Sequence, residues 1–204
     1  MKRWKNHKVV PKFKKLTEDN NHLKIMYHNV QSLRKHHTDN IEIKGFHNIL
    51  NITTTSERKH KPQGVSIYVK KGLKNLITAD TLSLEGKGRI QGGILEYKNM
   101  SIIGLYAKPN TTKELWKIFF KNLKLSSHKK VIIVGDFNID SNKINTTHFL
   151  SKLLQKYKLK LQNKGMRNTH LNANLTCVVN NTHITTGTYN SFFSHHLPVF
   201  IHKA

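Results

Sequence analysis

A chain of 204 residues with 35 Lys and Arg against 11 Asp and Glu carries a formal charge of +24 with its histidines neutral. This excess costs self-repulsion in the compact state unless a polyanion offsets it. At 37% hydrophobic and 23% charged residues, the composition is that of one globular domain with a sizeable core and excludes a disordered chain.

In chain order, residues 1–21 read as a basic N-terminal arm, with no acid before Glu18 and no apolar core for a secretory signal. The arm has one arginine, Arg3, and no serine. That favours contact with a polyanion over a mitochondrial transit peptide, which stays open as an alternative. From residue 22 onward, short apolar runs alternate with turn signals. LKIMYHNV (23–30) alternates as a strand does, and GVSIYVKKG (64–72) is β-branched and closes on glycine. GGILEY (92–97) and MSIIGLYAKP (100–109) predict a hairpin around Lys98-Asn99. VIIVGDFNI (131–139) is a short buried run of the kind found in central strands. Thr176–Val179 and Leu197–Ile201 predict the last two strands.

Two segments follow helical spacing. In TKELWKIFFKNLKL (112–125) the positions are Leu115, Ile118, Phe119, Asn122 and Leu123; in THFLSKLLQKYKLKL (147–161) they are Phe149, Leu150, Leu153, Leu154 and Tyr157. Trp116, Phe119 and Phe120 read as core. Many strands with a few interspersed helices predict an α/β or α+β layered sandwich, with residues 22–204 as a single domain. The Gly-rich GKGRIQGG (86–93) lies between strands rather than before a helix, so it does not read as a phosphate-cradling loop.

The charge points first to contact with nucleic acid. Neutralising phosphates releases counterions and gives affinity without sequence readout. An anionic membrane surface is the weaker fit, and no apolar run reaches the roughly 20 residues of a spanning helix. A solvated basic surface of the kind found in Lys- and Asn-rich chains is the bland alternative. Cys177 is the one cysteine; this excludes an intrachain disulfide and a thiolate zinc site and points to a reducing, intracellular compartment.

Gly-Asp-Phe-Asn at 135–138, directly after a buried run, is the most specific motif. A carboxylate and an amide two residues apart at a strand end can both face one cleft, one activating water and the other holding a phosphate oxygen. Together with HNVQSL (28–33), IEIKGFHNI (41–49), GVSIYV (64–69), GLYAKPN (104–110) and SHHLPVF (194–200), the motif order resembles the endonuclease/exonuclease/phosphatase superfamily. The resemblance runs from residue 23 to about 202 and is greatest to the apurinic-type endonuclease domains of non-LTR retrotransposons. It implies a four-layer, DNase I-like sandwich: two mixed β-sheets face to face with helices outside. It also implies a cleft at one sheet edge, where a divalent metal and several acids cleave a phosphodiester.

Residue by residue, the resemblance assigns Asn29 to the metal and phosphate site and Tyr106 to a phosphate contact. It makes Asp136 the acid that activates water, with Asn138 as its partner amide, and His196 the histidine on the scissile phosphate. The departures fall on the acids. The pattern at the C-terminal strand is Ser-Asp-His, so His195 stands where a carboxylate belongs. A second acid is expected on the preceding strand, where TCVVNN (176–181) offers Val179. The metal-ligand glutamate belongs to a segment between HNVQSL and IKGF that is too short here for the usual helix and strand. Glu42 and Glu57 are poor replacements.

No Asp or Glu follows Asp140, so no realignment of the last third supplies the missing carboxylates. Asp136 alone is a poor site for Mg²⁺, which wants several carboxylate oxygens. His195 and His196 would point to opposite faces if they lie on a strand, and so would not chelate together. These departures lead to the expectation of a catalytically degenerate, nuclease-like protein that binds DNA or RNA through phosphate contacts and has no cofactor. Two alternatives stand beside it. One is an active nicking endonuclease with a rebuilt site, using Mg²⁺ or Mn²⁺. The other is a structural component of a ribonucleoprotein or viral particle, in which the charge offsets packed nucleic acid or pairs with acidic proteins. Nuclear or nucleoprotein-particle localisation goes with the first and third readings.

Overall fold

The computed structural model describes residues 23–27, 45–53, 64–70, 72–73, 77–83, 89–123, 125, 129–139, 144–162, 175–179, 184–188 and 199–203. Its centre is a six-stranded mixed sheet in the order β4-β5-β6-β7-β9-β8. The strands are β4 (Ile77–Ser83), β5 (Ile90–Tyr97), β6 (Met100–Ala107), β7 (Lys130–Asp136), β8 (Lys160–Leu161) and β9 (Leu175–Val179). β6 and β7 pair in parallel and the other neighbours are antiparallel. A parallel pair needs a crossover. Helix α1 (Lys113–Asn122) supplies it, and α2 (Phe149–Lys156) lies between β7 and β8. Among the described residues, two smaller sheets accompany the central one. β2 (Phe46–Thr53) pairs with β3 (Gly64–Lys70), and β1 (Leu23–Tyr27) and β10 (Thr185–Thr188) flank β11 (Val199–Lys203).

The hairpin expected at Lys98-Asn99 is present. Tyr97 pairs with Met100 across a two-residue turn in which Lys98 adopts a φ of 51°. The Asn99 carbonyl accepts from the Lys130 N–H at 2.9 Å, which fixes the turn against the start of β7.

Alternation along the central strands gives the sheet two apolar faces. Ile103, Leu105 and Ala107 of β6, Val131 and Ile133 of β7, and Phe137 just beyond β7 face the helices. There they pack with Trp116, Phe119, Phe120, Leu150, Leu153 and Leu154. Ile102, Ile132, Val134 and Leu95 form the other core, with Val69, Ile49 and Ile67 from the β2–β3 sheet and Ile184 from just before β10. This buried double-sidedness explains why VIIV reads as an unbroken apolar run. The approach of β2–β3 to the central sheet depends on Gly93, where a Cβ would overlap the Leu50 and Ile67 side chains.

The architecture is the expected α/β sandwich: helices, a mixed sheet and a second β layer. Among the described residues, helices cover the central sheet only. None of them is long and apolar enough to cross a membrane.

The buried face of α1 keeps the expected Trp116, Phe119, Phe120 and Leu123 but not Ile118. Trp116, Phe119, Phe120 and Leu123 face inward at i, i+3, i+4 and i+7, while Ile118 is 47% exposed. Burying the large aromatics rotates the helix so that Ile118 faces solvent. Trp116 stacks on Phe137 with ring centroids 4.9 Å apart and 10° between planes. The strands missing from the sequence reading, β2, β4, β8 and β10, all lie at sheet edges. Edge strands bury little, so they carry little of the apolar alternation by which strands are recognised.

Helix starts are set by side-chain caps. The Thr112 hydroxyl accepts from the Leu115 N–H, and His148 Nδ1 accepts from the Leu150 N–H at 3.2 Å. An imidazole nitrogen accepts only when it carries no proton, and partial burial holds His148 below its usual 6.5.

Two outcomes follow for stability. Trp116→Ala should cost roughly 3–5 kcal/mol in urea unfolding, the range for emptying an aromatic site. Trp116→Phe should cost clearly less, because it keeps the stack and removes an indole N–H that is buried without a partner among the described residues. The His148 pKa is depressed, so its cap is intact above pH 6.5 and is lost as pH falls through the lowered folded value. The protection of the Leu150 amide against exchange, relative to an unprotected amide at the same pH, should therefore fall in acid for wild type but not for His148→Asn, whose cap does not titrate in this range.

Candidate functional site at the ends of the parallel strands

The parallel register of β6 and β7 places Tyr106 opposite Asp136 at the C-terminal ends of both strands. One strand over, Gln91 of β5 is opposite Tyr106. Because side chains alternate, these three share the sheet face of Ile132 and Val134, away from the helices. They form a polar row where the core between the β layers ends. All three are buried, Asp136 to 2% and Gln91 to 9% exposure.

Each residue of Gly135-Asp136-Phe137-Asn138 has a local reason to be what it is. A Cβ at Gly135 would run into the Leu105 carbonyl oxygen of the neighbouring strand, so only glycine permits this close pairing. Asp136 Oδ1 accepts from the Asn138 N–H at 3.0 Å, closing an Asx turn at the strand end. Phe137 leaves on the opposite face and stacks on Trp116. Asn138 adopts a φ of 49°, a left-handed conformation that asparagine tolerates better than most residues. Its Nδ2 donates to the Ala107 carbonyl at 2.6 Å, which ties the loop to the end of β6.

The electrostatics are one-sided. Burial, and then the neighbouring Asp136 carboxylate, push the Tyr106 phenol up to about 12. At neutral pH it is a protonated donor beside a carboxylate. Gln91 Oε1 is buried without a hydrogen-bond partner among the described residues. The row therefore combines one phenolic donor, one carboxylate and one unsatisfied amide acceptor, a set suited to holding a polar group at the sheet end.

Of the residues assigned from the sequence, the structure brings Tyr106, Asp136 and Asn138 together. Asn29, His195, His196, Glu42 and Glu57 lie outside the described residues. Val179 does not border the site. It pairs with Ile132, and it is Leu175 that pairs with Asp136. Four residues of strand, roughly 13 Å, separate the two positions. Without the β7–β9 register, matching TCVVNN by residue type slides the expected acid toward the wrong end of β9. Gln91 went unrecognised because it sits in a Gly-rich stretch read as a connection. The signal available was its place one residue into β5, in step with Gly93 and Leu95.

These donors do not fit the divalent ion that the resemblance implies. Among the described residues Asp136 is the only carboxylate in the row, and one of its oxygens closes the Asx turn. No three His, Cys, Asp or Glu side chains gather among the described residues. A hard cation needs several oxygen ligands in one place.

No family model and no curated protein matches the sequence. Solved structures do match the fold. The endonuclease domain of TRAS1, a telomere-specific non-LTR retrotransposon, superposes with a TM-score of 0.55 at 14% identity, over 79% of each chain. A humanized D. rerio TDP2 carrying 14 mutations gives 0.54 at 7% identity, over 95% of this chain and 88% of the other. At such identities the likeness is one of fold.

The environment of Tyr106 can be measured directly. In pH-jump absorbance at 295 nm, the difference between wild type and Tyr106→Phe should titrate near 12. Asp136→Asn should lower that midpoint while leaving it above the usual value of about 10, since burial contributes more than the charge. The raised pKa also stabilises the fold below pH 10, a contribution lost as pH climbs toward 12, so Tyr106→Phe should flatten that loss.

Proposed function

Starting from a chain with the DNase I-like fold of the endonuclease/exonuclease/phosphatase superfamily, we propose a catalytically degenerate, endonuclease-like protein that binds nucleic acid through its basic surface. The observation that carries this reading is the distribution of acids. The chain has 11 carboxylates against 35 basic residues, and none follows Asp140. Among the described residues Asp136 is the one carboxylate in the polar row, where a hard catalytic cation needs several oxygen ligands.

Asp136 and Asn138 have a role that survives the loss of chemistry. Together they close the strand-end turn and fasten it to β6. Tyr106 keeps its proton in neutral solution and can donate to a phosphate oxygen. Binding then depends on phosphate neutralisation, takes DNA or RNA without base preference, and weakens steeply with salt.

Fluorescence anisotropy with labelled duplex DNA, single-stranded DNA and RNA should show binding whose logarithm falls linearly with log salt. Plasmid nicking with Mg²⁺ or Mn²⁺ should show no cleavage above buffer. Metal-dependent cleavage abolished by Asp136→Ala would instead establish a working nuclease with a rebuilt site. Absence of binding even at low salt would point to a structural role with an acidic protein partner.

A further inference from the structure

The outer surface of the helical layer carries a pattern that the strand-end site does not use. Lys113, Lys117 and Lys121 of α1 are exposed and spaced four residues apart, and so are Lys152 and Lys156 of α2. At 3.6 residues per turn, each set forms a stripe along one flank of its helix. Like charges at this spacing destabilise a helix rather than support it. Compensation is slight. Glu114 is the one acid on α1 and pairs with Lys113 at 3.8 Å in an exposed position, and α2 has none.

Topology turns the two stripes toward each other. α1 joins the parallel strands β6 and β7. α2 joins β7 to β8, which runs parallel to β7 because both are antiparallel to β9. Both helices therefore run against β7, side by side and parallel, on one face of the sheet. Phe120 stacks on Tyr157 with centroids 5.5 Å apart, which fixes the flank of α1 that meets α2. Helical rotation puts Lys117 and Lys121 on that same flank. From the other side, Lys156 Nζ lies 5.9 Å from the Tyr157 ring centroid. The seam thus has an aromatic floor and a lysine row on each wall.

We infer that the α1–α2 seam is a second nucleic-acid site, distinct from the polar row, and that it seats one strand of the phosphate backbone between the two lysine rows. This rests on the nucleic-acid reading above and specifies where the phosphates lie. The lysines repeat about every 6 Å along each helix, four residues at about 1.5 Å. Every second phosphate on one strand of a duplex advances roughly 6.8 Å along its axis. An evenly charged polymer matches that repeat, whereas an acidic protein segment has no reason to. Tyr106 and Asp136 lie on the opposite face of the same sheet, so the seam can be occupied independently of them.

The test uses the full chain with Lys117, Lys121, Lys152 and Lys156 all changed to Gln, with circular dichroism confirming the fold. On a labelled 30-base-pair duplex, the slope of log affinity against log salt should become shallower by about 3.6, four contacts at about 0.9 each, with affinity down about tenfold or more at low salt. In lysine acetylation read by mass spectrometry, bound duplex should protect these four lysines and leave Lys98, in the β5–β6 turn, reactive. An unchanged slope with wild type still binding, or a footprint that leaves the seam reactive, overturns this site and leaves the broader reading standing. Wild type that binds no nucleic acid overturns both. Direct binding of poly-glutamate that is lost in the four-lysine variant, with no duplex binding by wild type, would assign the seam to an acidic protein and also overturn the proposal.

Discussion

Most of this architecture depends on the parallel pairing of β6 and β7. It brings Tyr106 beside Asp136, and its closeness excludes a Cβ at Gly135. It demands a crossover, which α1 provides, and α1 in turn places Trp116 against Phe137. The residues that shape the strand-end turn are therefore anchored on both faces of the sheet: Asp136 and Asn138 to backbone, Phe137 to the helical core. A change at the turn is felt in the helix packing, and the reverse also holds.

That coupling gives Asp136 and Asn138 a reason to be present that does not depend on any chemistry. Hydrogen bonds at 3.0 and 2.6 Å give Asp136 and Asn138 structural duties at a buried strand end. Losing one would leave a buried polar group or an untied loop, which is costly whether or not any chemistry takes place. The β7–β9 register shows that Val179 pairs with a core isoleucine rather than facing the polar row.

Legibility in the sequence followed burial. The central strands and both helices stood out because their apolar patterns are dictated by packing on one or both faces. The GDFN quartet stood out because a glycine, a turn-closing aspartate, a core aromatic and a left-handed asparagine leave little freedom. The edge strands β4 and β8 were not legible, since most of their described side chains are exposed and polar sequence is indistinguishable from loop. Gln91 was hidden by its neighbours Gly92 and Gly93, which read as a connection although they serve close strand and sheet packing. On α1 the aromatic core positions Trp116, Phe119 and Phe120 were legible, but Ile118 also satisfies helical spacing and only packing on the sheet leaves it exposed.

The sequence by itself determined the charge, the shortage of acids and the identity of the strand-end motif, because each is a property of which residues are present. It also determined the layered sandwich, through alternating and helical periodicities that admit few other arrangements. Only the tertiary structure decided which residues are neighbours. Strand register put Gln91, Tyr106 and Asp136 in one row and removed Val179 from it. The parallel run of two helices turned separate lysine stripes toward a common seam. Register and helix orientation are set by long-range pairing across the sheet, and no local window of sequence contains that information.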